Sequence, residues 1–190
     1  YPSPGVGGAC LTKDPYIFSS ILKSSRNDVF RLSRSINISM HKHVVESILD
    51  QIKKRNIKFK DFKLLICGLA FKGDPETGDL RNSSSVEIYK MLIEKNIKAF
   101  GYDHIVKKRE IENENINYYD IKKGMKRFDA ILFLNNHIKN LRLDIQKLIR
   151  QMNDFPVFYD GWSQFSKDEI LQIKKCTYMS LSSVKNSLDS

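Results

Sequence analysis

Cysteine is scarce in this 190-residue chain, and so are tryptophan and proline: three, one and five residues respectively. The cysteines, Cys10, Cys67 and Cys176, are odd in number, and their spacings match no zinc or redox motif. A disulfide framework and a structural zinc centre are thereby set aside, and a reducing, cytoplasmic setting is expected. Long apolar runs are missing. The longest, Leu64–Phe71, has the length of a buried strand and falls far short of the ~18 residues of a membrane span. The first residues show no basic-then-apolar leader pattern, and the opening Tyr1-Pro2-Ser3-Pro4-Gly5 reads as the middle of a longer protein. Internal repeats and low-complexity tracts are absent. Acidic residues are outnumbered, 22 against 32 basic ones, for a net charge of +10. A surplus of that size attracts phosphate-bearing partners. The basic groups are scattered, however, as Lys53-Lys54-Arg55, Lys107-Lys108-Arg109, Lys122-Lys123 and Lys174-Lys175, with no interleaved aromatics to stack bases. A solvated basic surface is expected, without nucleic-acid or membrane partners. With 41% hydrophobic residues and a mean hydropathy of −0.40, what remains is a globular chain long enough for a real core.

Two textures divide the sequence. Residues 1–60 begin with a loop punctuated by Pro2, Pro4, Gly5, Gly7, Gly8 and Pro15, followed by a short helix over Tyr16–Ser24. Arg26, Asn27 and Asp28 offer caps, with Asp28 opening a long helix to Arg55. Its apolar residues Val29, Leu32, Ile36, Met40, Val44, Ile48 and Ile52 recur in steps of three and four, which places them on one stripe. A helix of that length with one apolar stripe wants a partner, its own domain or a second copy, and a homodimer through 28–55 is expected. Residues 61–190 alternate strands and helices. Strands are predicted at Leu64–Ala70, Ala99–Asp103, weakly Ile116–Tyr119, Ala130–Leu134, Val157–Asp160 and Thr177–Leu181. Helices are predicted at Ser83–Asn96, Ile121–Phe128, Ile138–Met152 and Ser166–Ile173. That rhythm predicts an α/β fold, a Rossmann-like parallel sheet with helices on both faces preceded by a long helical segment, and ligands outside the carboxyl ends of the strands.

Two constellations carry possible chemistry. In Gly5-Val6-Gly7-Gly8-Ala9-Cys10-Leu11-Thr12-Lys13-Asp14-Pro15 the glycines let the backbone approach a ligand. Lys13 can favour the Cys10 thiolate, and Asp14 can orient or deprotonate a water. These are the parts for covalent thiol chemistry on a carbonyl; a tight turn with an incidental thiol is the plainer alternative. The second constellation runs from Gly68 through Phe71, Lys72, Asp74 and Asp79 to Arg81, with Ser83, Ser84 and Ser85 after it. A strand-to-helix loop of this kind suits a phosphate, with Lys72 and Arg81 as neutralising charges, or is a surface loop with capping serines. The glycines form neither G-x-G-x-x-G nor a Walker loop. Cys67 and Cys176 read as core thiols, and His41 and His43 as surface groups. His104 stands near a strand end with no role assigned. Trp162 lines a pocket or simply packs. No metal site is expected.

The order Pro4-Gly5-Val6-Gly7-Gly8, Cys10-Leu11-Thr12-Lys13-Asp14-Pro15-Tyr16, then Asn37 and Met40, then Gly68-Leu69-Ala70-Phe71-Lys72-Gly73 and Asp79-Leu80-Arg81 with Ser83, resembles the C-terminal part of the UDP-glucose/GDP-mannose dehydrogenase family. The cysteine motif is most similar in form to that of UDP-N-acetylmannosamine dehydrogenases. The resemblance runs from Pro4 to about Asp103 and thins out beyond it, where Asp129-Ala130 and Tyr159-Asp160 keep a strand-end pattern. It implies oxidation of the sugar C6 hydroxyl to the acid in two hydride transfers to NAD, for polysaccharide precursors. It further implies Cys10 as the nucleophile, Asp14 as an activator of water and Lys13 as a stabiliser of oxyanionic charge. Gly5, Gly7 and Gly8 would lie along the UDP-sugar, Phe71 and Lys72 in the UDP pocket, and Arg81 would reach NAD. Three departures stand out: Ala9 where many relatives carry His, a longer loop between Lys72 and Arg81, and no N-terminal NAD-binding domain in the chain, which alone should not turn over.

Overall fold

In the computed structural model, residues 3–21 and 28–186 are described. Helix α1 spans Asp14–Ile21 and α2 spans Val29–Lys54, after which strand and helix alternate: β1 Lys63–Cys67, α3 Ser84–Glu94, β2 Lys98–Tyr102, α4 Lys108–Asn113, β3 Ala130–Phe133, α5 Ile145–Gln151, β4 Val157–Asp160, α6 Lys167–Ile173, β5 Thr177–Ser180 and β6 Val184–Asn186. The sheet order is β2-β1-β3-β4-β5-β6. The first five strands pair in parallel. β6 adds an antiparallel edge to β5, which the alternating pattern did not predict. The chain winds outward from β1 to β2, then crosses to β3 on the other side of β1. The strand order therefore reverses between β1 and β3, and a crevice opens at their carboxyl ends.

Side-chain alternation sorts the core into two layers. Leu64, Ile66, Ala130, Leu132, Val157 and Tyr159 face α2 and α3, whose Val44, Val45, Ile48, Ile52, Val86, Ile88 and Leu92 cover them. Leu65, Cys67, Ile131, Phe133 and Phe158 face the other way, onto Leu148 and Ile149 of α5 and Ile170 of α6. Burial raises the Cys67 thiol well above its ordinary range and pushes Cys176 up to about 11, so both are core thiols, as expected. The long helix starts as the capping pattern requires: Asp28 accepts from the Arg31 amide at 2.9 Å. Beyond its C-terminus, Arg55 donates to the Phe155 carbonyl and, at 3.0 Å, to Thr177 Oγ1. Those bonds tie the end of α2 to the base of the sheet.

Several boundaries moved for local reasons. The short N-terminal helix begins earlier, at Asp14 with Pro15 in its first turn, where a missing N–H costs nothing; Leu22–Ser24, predicted as its end, and the cap candidates Arg26 and Asn27 lie outside the described residues. Ile138–Met152 is two pieces. A 3-10 turn at Ile138–Arg142 is followed by extended Leu143, and Asp144 then caps α5 by accepting from the Lys147 amide at 3.0 Å. Ile121–Phe128 stops after a single 3-10 turn at Gly124, whose φ is 82°. Ile116–Tyr119 contributes only a bridge, Gly101 to Tyr118. Ser83 is the cap of α3 and not its first residue; its hydroxyl donates to Leu69 O at 2.6 Å and accepts from Ser85 N at 3.2 Å.

Candidate functional site

The crevice is walled by the turn after β1, and its shape is set by one carboxylate. Asp103, at the end of β2, is buried. Its Oδ2 accepts from the Leu69 and Ala70 amides at 2.8 and 3.0 Å. Its Oδ1 accepts from Ile105 and Val106 at 2.8 and 3.1 Å. The chain then leaves through Phe71 and Lys72, both half-buried, with Lys72 Nζ 5.5 Å from the Phe71 ring centroid. Phe71 N donates to Asp79 O at 3.0 Å, closing the base of the intervening loop. The loop is docked on the end of β3. Asn136 Oδ1 accepts from Gly73 and Asp74 amides at 3.0 and 3.2 Å, and Glu76 lies 3.2 Å from His137 Nε2 and 3.4 Å from Lys139 Nζ. Its far end holds Arg81, exposed, paired with Asp79 at 2.6 Å. That carboxylate raises the Arg81 pKa, and Arg81 in turn lowers that of Asp79.

The glycine loop lies against this turn. Gly8 N donates to Arg81 O at 3.2 Å. Asn82 Nδ2 donates to Thr12 Oγ1 at 3.0 Å and to Gly8 O at 3.4 Å. Thr12 Oγ1 donates to Gly8 O at 2.7 Å. Gly8 has φ 92°, in the left-handed region, and a Cβ there would lie 2.9 Å from the Phe71 ring. Pro4 packs on Gly161, just past β4, where a Cβ would approach its ring to 2.6 Å. The loop therefore spans from the end of β4 to the turn after β1. Cys10 follows it, exposed, and its carbonyl accepts from the Lys13 and Asp14 amides, both at 3.0 Å, as α1 begins. Lys13 and Asp14 form an exposed ion pair at 2.8 Å. The Lys13 pKa is raised, first by the hydrogen bond to Asp14 and then by its charge, with a smaller contribution from Cys10. The structure brings Gly7, Gly8, Phe71 and Arg81 together directly, and sets Cys10, Lys13 and Asp14 beside them.

Some site residues were not anticipated. Asn37 was noted only as part of a signature, yet its Oδ1 accepts from Val6 N at 2.7 Å and its Nδ2 donates to Val6 O at 3.1 Å. Asn82 had no signal beyond its place beside Arg81. His41, expected at the surface, is buried, because the glycine loop covers that part of α2. His43 is exposed as expected, with Nε2 3.2 Å from Leu181 O. Trp162 Nε1 donates to Leu134 O at 3.0 Å, packing across the end of β3. His104 Nε2 is 3.0 Å from Asn140 Oδ1. Asn140 donates its amide protons to Asn135 O at 3.1 Å, so its oxygen is the acceptor and His104 Nε2 carries the proton. Among the described residues no group of acidic, His and Cys side chains is arranged to hold a metal, and no helix is long and apolar enough to cross a membrane.

Residues 65–167, just over half the chain, match the model of the UDP-glucose/GDP-mannose dehydrogenase family, UDP binding domain. The chain belongs to this family. It is 31% identical over 157 residues to the UDP-N-acetyl-D-mannosamine dehydrogenase of Methanococcus aeolicus, covering 80% of this chain and 33% of that protein. It is 30% identical over 178 residues to UDP-glucose 6-dehydrogenase TuaD of Bacillus subtilis, covering 87% of this chain and 36% of that one. The chain thus spans about a third of the length of the curated relatives it matches. Among solved structures, the UDP-N-acetyl-mannosamine dehydrogenase Cap5O of S. aureus aligns with a TM-score of 0.69 at 28% identity over 95% of this chain and 39% of that one. The Pyrococcus horikoshii UDP-D-ManNAc dehydrogenase aligns at 0.79 and 24% identity over 95% of this chain and 39% of that one, a likeness of fold. The five-strand parallel sheet is the α/β C-terminal domain of such dehydrogenases.

Proposed function

We propose that this chain is the substrate-binding part of an NAD-dependent UDP-sugar 6-dehydrogenase that takes UDP-N-acetylmannosamine or UDP-glucose to the uronic acid. Residues 1–60 supply the cysteine loop and the dimerisation helix, and residues 61–190 the UDP-sugar-binding domain. One observation carries the reading: the loop bearing Cys10 is hydrogen-bonded to the turn bearing Phe71, Lys72 and Arg81, so that a thiol and a diphosphate-neutralising lysine belong to one unit. UDP lies along Gly5, Gly7 and Gly8, with Phe71 against the nucleotide and the Lys72 ammonium on the diphosphate. The preference for these two sugars rests on what the most similar relatives are named for.

NAD would be held by a separate domain and would supply the oxidising chemistry of the two steps. On this chain the turn after β1 is not its cradle. The Asn135 side chain fills the space over Gly68, 2.2 Å from where a Cβ would stand, and this blocks the close approach that a pyrophosphate needs. Arg81 is the group that reaches NAD, and its exposure suits a contact across a domain boundary. The remaining chemistry belongs to this chain. Loss of a hydride from C6 and of the hydroxyl proton to solvent leaves an aldehyde. The Cys10 thiolate adds to its carbon, and Lys13 stabilises the resulting alkoxide. Loss of the second hydride gives a thioester on Sγ. Water, deprotonated by Asp14, attacks the acyl carbon; the acid leaves and the thiolate is restored.

The test has two parts. UDP and UDP-sugars should raise the unfolding temperature of the chain, by the equivalent of about 2.7 kcal/mol at a hundredfold excess over Kd, and an oligonucleotide should not. In the protein joined to its NAD-binding half, Cys10→Ser should abolish uronic acid formation. Full activity of Cys10→Ser would show that Cys10 is not the nucleophile and would leave this chain a nucleotide-binding part only; no stabilisation by UDP would remove the binding site as well.

A further inference from the structure

The glycine loop rests on a stripe of α2 that nothing in the reaction above uses. Arg34, Asn37 and His41 recur at i, i+3 and i+7, on one helix face. Asn37 grips both backbone groups of Val6 at 2.7 and 3.1 Å, and Arg34 Nη1 reaches Val6 O at 3.5 Å. Next along the stripe, His41 is 9% exposed and Ser84, the first residue of α3, 5%. Both aim at Gly5: a Cβ on that residue would stand 2.7 Å from His41 Nε2 and 2.6 Å from Ser84 Oγ. Neither atom has a hydrogen-bond partner, and neither does Arg34 Nε. A buried polar atom without a partner has given up its hydration for nothing in return, and native proteins keep few of them. Two at one contact under a functional loop call for a reason.

We infer that His41 is a positioning residue for the Cys10 loop, seating Gly5 only while its imidazole is neutral, so that acid unseats the loop. The charged groups acting on His41 are Arg34 on α2 and Glu87 on α3. Burial, first, lowers its pKa from 6.5; Glu87, exposed at the surface of α3, opposes it, and Arg34 adds a smaller lowering. An unseated His41 takes a proton at its ordinary pKa and a seated one resists it. The seat is therefore intact above about pH 6.5 and weakens as pH falls below that value, by up to tenfold per pH unit, about 1.4 kcal/mol, at full coupling. The structural part of this inference does not depend on the proposed reaction; its consequence for catalysis does.

The experiment uses this chain and reads backbone hydrogen exchange of the segment 4–10 by mass spectrometry at pH 7.5 and 5.5, each corrected for the exchange rate of an unstructured peptide. The wild type is expected to lose protection at pH 5.5, by up to about tenfold, the limit for one pH unit below 6.5. His41→Asn and His41→Gln, uncharged at both values, should show no such loss. A flat wild-type profile overturns the inference, even if neither variant folds, and so does an equal loss in a folded variant. UDP binding measured at pH 7.5 on the same samples separates the two claims: a wild type that shows the exchange switch without binding UDP sinks the proposed function and leaves the seat standing.

Discussion

A methyl group at Gly7 would stand 2.5 Å from the Asn82 carbonyl oxygen and 3.0 Å from Phe71 Cβ. Neither neighbour is a flexible side-chain tip, so Gly7→Ala must push the loop away from the turn after β1. We expect a stability loss of about 1–3 kcal/mol, as for overpacking elsewhere, and a larger proportional loss of UDP affinity, measured by denaturant unfolding and calorimetric titration. Unchanged affinity would show that the loop and the turn do not form one binding surface. Arg81 makes the complementary case. It is exposed, and the pair with Asp79 is screened by solvent, so Arg81→Ala should leave the unfolding midpoint unchanged and leave UDP affinity intact. Its effect should fall on the KM for NAD in the protein joined to its NAD-binding half. A drop in UDP affinity instead would reassign Arg81 to the diphosphate.

Elements were legible where burial and periodicity agree. β4 was read at its observed bounds, because Val157–Asp160 is buried on both faces and bounded by Pro156 and Gly161. The body of α2 was read almost to the residue, since Asp28 caps one end and Lys53 and Lys54 close the other. The failure at Ile138–Met152 is equally physical. The apolar steps continue through it, yet Asn140 turns fully inward to bond Asn135 and His104, and Asp144 starts a new helix. A polar residue captured by tertiary partners leaves no trace in periodicity. The candidate site shows the same division. Cys10, Lys13, Asp14, Asn37, Phe71, Lys72 and Arg81 lie in motifs that can be read along the chain, while the hold of Asn37 on Val6 and the places of Asn82 and His41 against the glycine loop come from the fold alone. The helix break is testable at its own scale: Asp144→Ala should cost about 1 kcal/mol by removing the cap of α5, read as a lowered unfolding midpoint with an unchanged m-value. A neutral result would mean that packing of Leu148 and Ile149, and not the cap, starts that helix.

At the scale of the molecule, the two halves of α2 differ. Val44, Val45, Ile48 and Ile52 disappear into the sheet's helical layer, whereas Val29, Leu32 and Ile36 of the same stripe are 69%, 56% and 56% exposed. α1 adds to that end of the molecule, with Phe18 stacked on Phe30 at 5.7 Å and Ile17 and Ile21 exposed. Apolar residues at helical spacing left in water suit an interface, and the homodimer expected through 28–55 is narrowed to the exposed N-terminal half of that helix, where a second copy would cover Val29, Leu32 and Ile36. The net charge of +10 works against that pairing, because two like-charged copies repel at low ionic strength and the repulsion is screened as salt rises. Self-association driven by apolar burial should therefore tighten between low and physiological salt, whereas binding to a polyanion such as nucleic acid should weaken steeply over the same range. Sedimentation equilibrium at micromolar concentrations, at two salt levels, distinguishes these. We expect a dimer that strengthens with salt, and a monomer from the double variant Leu32→Lys, Ile36→Lys, whose exposed positions make it tolerable to the isolated fold. A wild type that stays monomeric throughout would mean that this face is covered by something other than a second copy; one that associates equally well in the double variant would move the interface elsewhere, since two lysines on a packed helical seam cannot be accommodated without losing most of its buried apolar area.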